Sequence, residues 1–270
     1  MSPAPTSKAK RGGTFRTVEL SYVVTGAARG IGRAIAERLL ADGGHVVAAD
    51  LDPSALDWAT GPRVAAVAGD LRDEAVAARA ADAAQAMGTL KGWVNNAAVF
   101  RDAAVDVPDP REVLDAVALN FDPAVVGSLT AIRRFLDAGT GGAIVNVSSH
   151  QATRPVRGSL TYATAKAAVE GFSRALAVDY GPRGVRVNVV ALGSITTARY
   201  EAYLAAQDPA TVARIEAEMR ALHPLGRVGR PDEVAATVRH LLSDEASFIN
   251  GAIVPVDGGR SAQGQDPEQA

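Results

Sequence analysis

Leu20-Ser21-Tyr22-Val23-Val24-Thr25 runs directly into Gly26-Ala27-Ala28-Arg29-Gly30-Ile31-Gly32, and this joint decides the fold. A β-branched apolar run predicts a buried strand, the glycines a tight turn, and the Ala/Leu-rich stretch 33–41 a helix. A glycine turn that opens a helix presents backbone N–H groups and the positive end of the helix dipole to a pyrophosphate, and glycine permits close backbone approach. The spacing is Gly-x-x-x-Gly-x-Gly, a departure from the commoner Gly-x-Gly-x-x-Gly. The next apolar run, 45–49, ends in Asp50, 18 residues beyond Gly32. An acid at about 20 residues is where a carboxylate meets the hydroxyls of an adenosine ribose.

Outward from this joint, apolar runs alternate with Ala-rich amphipathic stretches. Strands are predicted near 20–25, 44–49, 63–68, 90–95, 142–148, 185–191 and 252–256, and helices near 30–42, 72–87, 110–137, 160–181 and 231–243. Seven strands joined by helical crossovers predict an α/β chain: a single-domain, Rossmann-type, doubly wound parallel sheet of seven strands with helices on both faces. Residues 1–18 are read as a disordered N-terminal extension, 19–260 as the nucleotide-binding and catalytic domain, and 261–270 as a flexible tail. Residues 196–222 mix Tyr200, Tyr203, Leu204 and Met219 with charges and predict a small helical lobe. In such folds ligands lie beyond the carboxyl ends of the strands, so this lobe is placed to act as a substrate lid.

Composition limits the function classes. At 270 residues and 47 % hydrophobic the chain can bury one large core, and a net charge of −2 gives no reason to expect nucleic acid or another polyanion. With no cysteine, disulfides, thiol catalysis and cysteine metal sites are excluded. His45, His150, His223 and His240 stand singly and are read as structural or surface residues, so no metal is expected. Residues 1–17 lack the apolar core of a secretory signal, and no apolar run is read as reaching membrane length. A cytoplasmic protein is expected.

The chemistry concentrates in Tyr162-Ala163-Thr164-Ala165-Lys166, with Ser149 13 residues before the tyrosine. Positions i and i+4 share a helix face, so the Lys166 ammonium can favour the Tyr162 phenolate. A free tyrosine titrates near pKa ~10, and an adjacent cation is expected to bring it towards the working range of a general base. Ser149 follows the apolar strand 143–147 and so falls at its carboxyl end; strand alternation aims Ser148 at the other face. Pro123 has no N–H for the carbonyl of Leu119, so the helix 110–137 is expected to break locally where Asn120 lies.

Taken in order, Thr25-Gly26-x-x-x-Gly30-Ile31-Gly32, Asp70, Asn95-Asn96-Ala97-Ala98, Asn120, Ser148-Ser149, Tyr162-x-x-x-Lys166 and Asp257-Gly258-Gly259 resemble the short-chain dehydrogenase/reductase family over residues 20–260. The resemblance implies a catalytic set of Asn120, Ser149, Tyr162 and Lys166. In it Ser149 binds the substrate oxygen, Tyr162 exchanges a proton with that oxygen, Lys166 also bonds the nicotinamide ribose, and Asn120 holds a water that extends the proton relay. It implies cofactor contacts from Gly26, Arg29, Gly30, Ile31, Gly32, Asp50, Asp70, Leu71, Asn96, Ala97, Ala98, Tyr162, Lys166, Ile195 and Thr197. Asp70 would lie near the adenine amino group, with the Leu71 backbone beside it. Ala98 stands where the family usually has glycine. Leu192 replaces the proline of Pro-Gly-x-Ile-x-Thr, which is expected to loosen that turn.

Asp50 points to NAD, because a carboxylate accepts from both ribose hydroxyls and repels the 2′-phosphate of NADP. Arg29 points towards NADP, but Leu51 offers no second cation. The expected activity is hydride transfer between NAD and a secondary alcohol or ketone, with Ser149, Gln151 and Tyr162 against the substrate. Phe100, His150, Pro155, Val156, Gly193 and Ser194 are further pocket candidates. An NADPH-dependent 3-oxoacyl-carrier-protein reductase is the alternative, disfavoured by Asp50 and by Ala138 and Val178 where carrier-binding cations are expected. A non-catalytic nucleotide sensor or scaffold ranks third, since all four catalytic positions are filled. Apolar residues on more than one face of 110–137 and 160–181 predict a homo-oligomer, and the resemblance implies a tetramer.

Overall fold

Short runs of valine, isoleucine and alanine that are apolar on both sides form strands buried on both faces, and the chain builds its sheet from seven of them. In the computed structural model, which describes residues 19–99 and 109–264, these are β1 (Leu20–Thr25), β2 (His45–Asp50), β3 (Val64–Ala68), β4 (Thr89–Asn95), β5 (Gly142–Ser149), β6 (Val185–Leu192) and β7 (Ile253–Val256). All pairings are parallel and the strand order is β3-β2-β1-β4-β5-β6-β7. Between them run α1 (Gly30–Ala41), α2 (Glu74–Met87), α3 (Pro110–Ala138), α4 (Leu160–Tyr180), α5 (Ala198–Ala205), α6 (Pro209–Leu222) and α7 (Pro231–Leu242). The expected doubly wound sheet is therefore the fold.

Each face of the sheet has its own core. Val24, Val46, Val145 and Val190 pack with Ile35 and Leu39 of α1 and with Val234, Val238 and Leu241 of α7. On the opposite face Val23, Val47, Trp93 and Ile144 pack with Ala80 of α2, Ile132 and Phe135 of α3, and Leu176 of α4. Strand order reverses between β1 and β4, so the crevice beyond their carboxyl ends is where a ligand belongs. A buried polar chain fixes the helices on the second face: Asn95 Nδ2 donates to Asn146 Oδ1 (2.7 Å) and Ser128 Oγ (3.0 Å), and Asn146 Nδ2 donates to Ser173 Oγ (2.8 Å). It links β4, β5, α3 and α4, the elements that carry Asn120, Ser149, Tyr162 and Lys166.

Several boundaries differ from expectation for local reasons. α3 runs unbroken through Pro123, because losing one backbone hydrogen bond does not end a helix packed against β4, β5, α2 and α4. At 29 residues α3 is also long and apolar enough to cross a membrane on those grounds alone, contrary to the reading that no run reaches that length. Its place against the sheet and α4 gives those apolar residues a different use. Leu192 is a buried ladder residue of β6, paired with Ser149 and Val256, so the sheet holds the position where the missing proline was expected to loosen the turn. Residues 196–222 form α5 and α6, capped by Thr197 and Asp208 side chains. Residues 261–264, read as the start of a tail, are bonded back: Ser261 N donates to Asp257 Oδ2 (2.8 Å), and the Gln263 carbonyl accepts from Arg154 (3.4 Å). The N-terminal extension 1–18, residues 265–270 and Phe100 lie outside the described residues. At the sheet edge, the carbonyls of Ala252 and Val256 accept from Val189 and Gly193, so the alternate residues Ile253 and Pro255 turn their backbone groups outward.

Candidate active site

The glycine turn is fixed by what surrounds it. Gly26 and Gly30 have φ of 64° and 57°, a region that glycine adopts without strain. A Cβ on Gly32 would overlap the Gly26 carbonyl, and one on Gly26 would stand 2.8 Å from the Ala97 Cα. Asn96 locks the turn from β4, donating Nδ2 to the carbonyls of Thr25 and Gly26 (3.0 Å each), while Thr25 Oγ1 accepts from the N–H groups of Asn96 and Ala97 (3.0 Å each). Side chains cap α2, α3, α5 and α6, but none caps α1, whose N-terminus opens into the crevice.

That crevice is a cleft of about 500 Å³, and it gathers Gly26, Arg29, Gly30, Ile31, Gly32, Asp50, Asp70, Leu71, Asn96, Ala97, Ala98 and Thr197. Asp50 ties the turn to β2, accepting from Ala28 N on Oδ2 (3.0 Å) and from Asp52 N on Oδ1 (3.3 Å). Asp70 is held by Arg72, whose Nε lies 3.1 and 3.0 Å from its two oxygens and whose Nη2 lies 2.6 Å from Oδ2. This pairing holds the Asp70 carboxyl below its usual range. The carboxylate expected at the adenine thus shares its lone pairs with Arg72, an arginine that no motif singles out. Leu71 buries its side chain in the core, and Ala98 is exposed in the cleft wall. Ile195 stands apart from the cleft: it bridges to Gly229 and packs against the α1/α7 core. Arg33 stacks on Trp58 (5.3 Å) and pairs with Glu37 (2.8 Å), which commits it away from Asp50.

The four proposed catalytic residues come from β5, α3 and α4. Ser149 ends β5, accepts from Gln151 N (3.2 Å) and hydrogen-bonds Tyr162; Ser148 instead faces Glu170 Oε1 (2.9 Å). Tyr162 and Lys166 share one face of α4, with the Lys166 Nζ 5.5 Å from the centre of the Tyr162 ring. Lys166 is buried and donates to the Val147 carbonyl (2.9 Å). Asn120 is buried on α3, and its Oδ1 accepts from Val99 N (2.8 Å).

The electrostatics correct one expectation. Burial raises the Tyr162 phenol above its ordinary value, and the groups that pull against this are Ser149, through its hydrogen bond, and Arg199, through its charge. Lys166 sits over the ring face and is itself pushed down to about 8 by burial. Arg199, on the first turn of α5, also lines the cleft. Nothing in its neighbourhood in the sequence marks it, because only the folded chain brings its charge to bear on Tyr162. Gln151, expected at the substrate, is half-buried with an Oε1 that finds no partner among the described residues. His223 is a structural histidine, donating Nδ1–H to the Met219 carbonyl (2.7 Å) and accepting from Ser194 N on Nε2 (3.3 Å).

A family model described as enoyl-(acyl carrier protein) reductase matches residues 26–261. The chain belongs to the short-chain dehydrogenase/reductase family. Among its relatives, levodione reductase of Leifsonia aquatica is 31 % identical over 259 residues, covering 92 % of this chain and 97 % of the relative. Cis-4-hydroxycyclohexanecarboxylate dehydrogenase of Sinomonas cyclohexanicum is 40 % identical over 250 residues, covering 89 % and 96 %. The ligand-free structure of Thermoplasma acidophilum aldohexose dehydrogenase superposes with a TM-score of 0.81 at 29 % identity, covering 92 % and 96 %. As a short-chain dehydrogenase/reductase the protein is an oxidoreductase of alcohols and ketones, with a nicotinamide dinucleotide as cofactor and small molecules as substrates. The cleft suits that cofactor: glycines at Gly26 and Gly32 leave room that a Cβ would fill, and the α1 N-terminus is free of any side-chain cap.

Proposed function

We propose that this protein is an NAD-dependent dehydrogenase of secondary alcohols, working reversibly on the corresponding ketones, with Tyr162 as general acid/base. The observation that carries the reading is the meeting of Ser149 and Tyr162 at the carboxyl end of β5, beside a glycine-lined cleft. Bound NAD supplies the hydride acceptor at the nicotinamide ring. Ser149 Oγ holds the alcohol oxygen, and the Tyr162 phenolate takes its proton. The Lys166 ammonium has three N–H groups and gives one to Val147, leaving two for a ribose hydroxyl or a proton-carrying water. Asn120, through Val99, fixes the backbone of the segment that follows β4.

Asp50 supports NAD over NADP. It lines the cleft at the end of β2, two of its roughly four lone-pair sites remain for ribose hydroxyls, and its charge repels a 2′-phosphate. The names of the relatives support a ring-borne hydroxyl or ketone as substrate, with hydroxycyclohexanecarboxylate the nearest in identity of those above. We place α5 and α6 as a lid, since Arg199 on α5 borders the cleft. A homotetramer is supported by apolar residues left on α3 and α4, with Leu114 60 % and Val178 74 % exposed. The family model's own description favours, as a second reading, a reductase of acyl-carrier thioesters. Absorbance at 340 nm separates the two: NAD reduction by 4-hydroxycyclohexanecarboxylate or cyclohexanol, lost in Tyr162→Phe, is the expected result. NADPH oxidation by an acyl-carrier substrate alone overturns it.

A further inference from the structure

A second cavity, of about 250 Å³, opens against the residue that follows Ser149. Its walls among the described residues are His150, Arg154, Ala221, Leu222, Arg260 and Gln263, so these supply two guanidinium groups and an imidazole and no carboxylate. Arg260 is half-buried and donates Nη1 to Ser194 Oγ (2.9 Å). Arg154 donates Nη1 to the carbonyls of Arg260 (3.3 Å) and Gln263 (3.4 Å). Among the described residues neither arginine forms an ion pair, although each guanidinium carries five N–H donors and charge is costly to bury uncompensated. The carboxylate whose charge acts on Arg260 is Asp257, and both its oxygens already accept from backbone, from Gly259 N (2.9 Å) and Ser261 N (2.8 Å).

His150 is an independent second sign. Its Nδ1 lies 3.1 Å from the Leu192 carbonyl, which can only accept, so Nδ1 carries the proton and Nε2 the lone pair. That Nε2 is buried and finds no partner among the described residues, and the ring is 7 % exposed. The charged and titratable groups facing it are Arg260, Asp257 and His223, and burial first and Arg260 second hold it in the neutral form. An anion between the arginines would shift this balance towards imidazolium, whose Nε2–H would then have an acceptor.

We propose that this cavity is a subsite for an oxyanion, the carboxylate at the end of the substrate remote from its reacting carbon. The inference rests on the dehydrogenase reading above and deepens it to hydroxy or keto acids. The placement fits that use. His150, which shares the cavity wall with both arginines, directly follows Ser149 in the chain and meets the end of β6 through the Leu192 carbonyl.

The test compares 4-hydroxycyclohexanecarboxylate with cyclohexanol as substrates of the full chain with NAD, and measures binding of cyclohexanecarboxylate by calorimetry without turnover. Arg154 is exposed, so Arg154→Gln keeps the fold testable, and Arg260→Gln and Arg260→Lys complete the set. Each Gln variant is expected to lower the acid-to-alcohol ratio of kcat/KM by at least about tenfold, through KM, with Arg260→Lys recovering part of it. Cyclohexanecarboxylate affinity should fall in parallel. Inorganic phosphate that competes with the acid alone identifies the substrate's own carboxylate as the occupant; phosphate that changes cyclohexanol turnover assigns the same chemistry to a free anion. If both alcohols are oxidised with a ratio that no arginine variant moves, the subsite is wrong and the dehydrogenase reading stands. Arginine-dependent carboxylate binding with no alcohol oxidation has the reverse meaning. Failure of cyclohexanecarboxylate and phosphate to bind at all overturns the proposal.

Discussion

Replacing Lys166 with Met should make the protein more stable at neutral pH while removing its activity. Lys166 is buried, with its ammonium held at about 8 instead of 10.5. That depression corresponds to about 3 kcal/mol by which the folded state is penalised for carrying the charge. The sign follows from proton binding. Below pH 8 the lysine is protonated in both states and the full penalty applies; between pH 8 and 10.5 the unfolded chain binds more protons, so stability rises with pH by up to about 1.4 kcal/mol per unit. Methionine has similar length and no charge, and it forfeits one hydrogen bond to the Val147 carbonyl, worth ~1 kcal/mol. The variant should therefore be about 2 kcal/mol more stable at pH 7, with the advantage gone near pH 10. Urea unfolding of the cofactor-free protein at a series of pH values from 7 to 10 measures both. A variant less stable than wild type at pH 7, or a difference that does not change with pH, refutes the assignment of Lys166 as a desolvated cation.

Other outcomes follow from the same geometry. Tyr162→Phe keeps the ring and loses the hydroxyl, so kcat should drop by ~10²–10⁴ while NAD titration is unchanged. Because burial raises the phenol, the oxidation rate should climb on the alkaline side, and Arg199→Gln should move that limb to still higher pH, read from kcat/KM against pH. Asp50→Ala should weaken NAD and relax the exclusion of NADP, compared by KM for the two cofactors; a wild type that already prefers NADP contradicts the role given to Asp50. Gly32→Ala places a methyl against the Gly26 carbonyl and Asn96, and should abolish cofactor binding measured by calorimetry before it unfolds the sheet.

What was legible in the sequence is what depends on local pattern. Strand runs such as 20–25 and 185–191 are apolar, β-branched and bounded by Gly or turn residues, so their positions fall within a residue or two of β1 and β6. The cleft was legible through Gly26, Gly32 and Asp50 because backbone geometry dictates glycine there and strand length dictates where the acid falls. What failed depends on contacts between distant segments. Pro123 announces a break only if the helix stands alone; packing on the sheet keeps it continuous. Lys166 next to Tyr162 in the helix suggests a lowered phenol, yet depth of burial acts on both groups and outweighs their proximity. Arg72 on Asp70, Arg199 near Tyr162 and the meeting of Arg154 with Arg260 all require the tertiary structure, since long charged side chains leave no periodic trace.

The outward edge of β7 offers Ile253 and Pro255, and Pro255 has no N–H. A strand from another molecule laid along that edge would meet one donor where a ladder needs two, so the sheet cannot template its own extension there. Two copies that meet on this side of the molecule must do so by interlocking side chains, not by joining sheets. An edge blunted by one imino acid thus guards the sheet against growing strand by strand into a fibre.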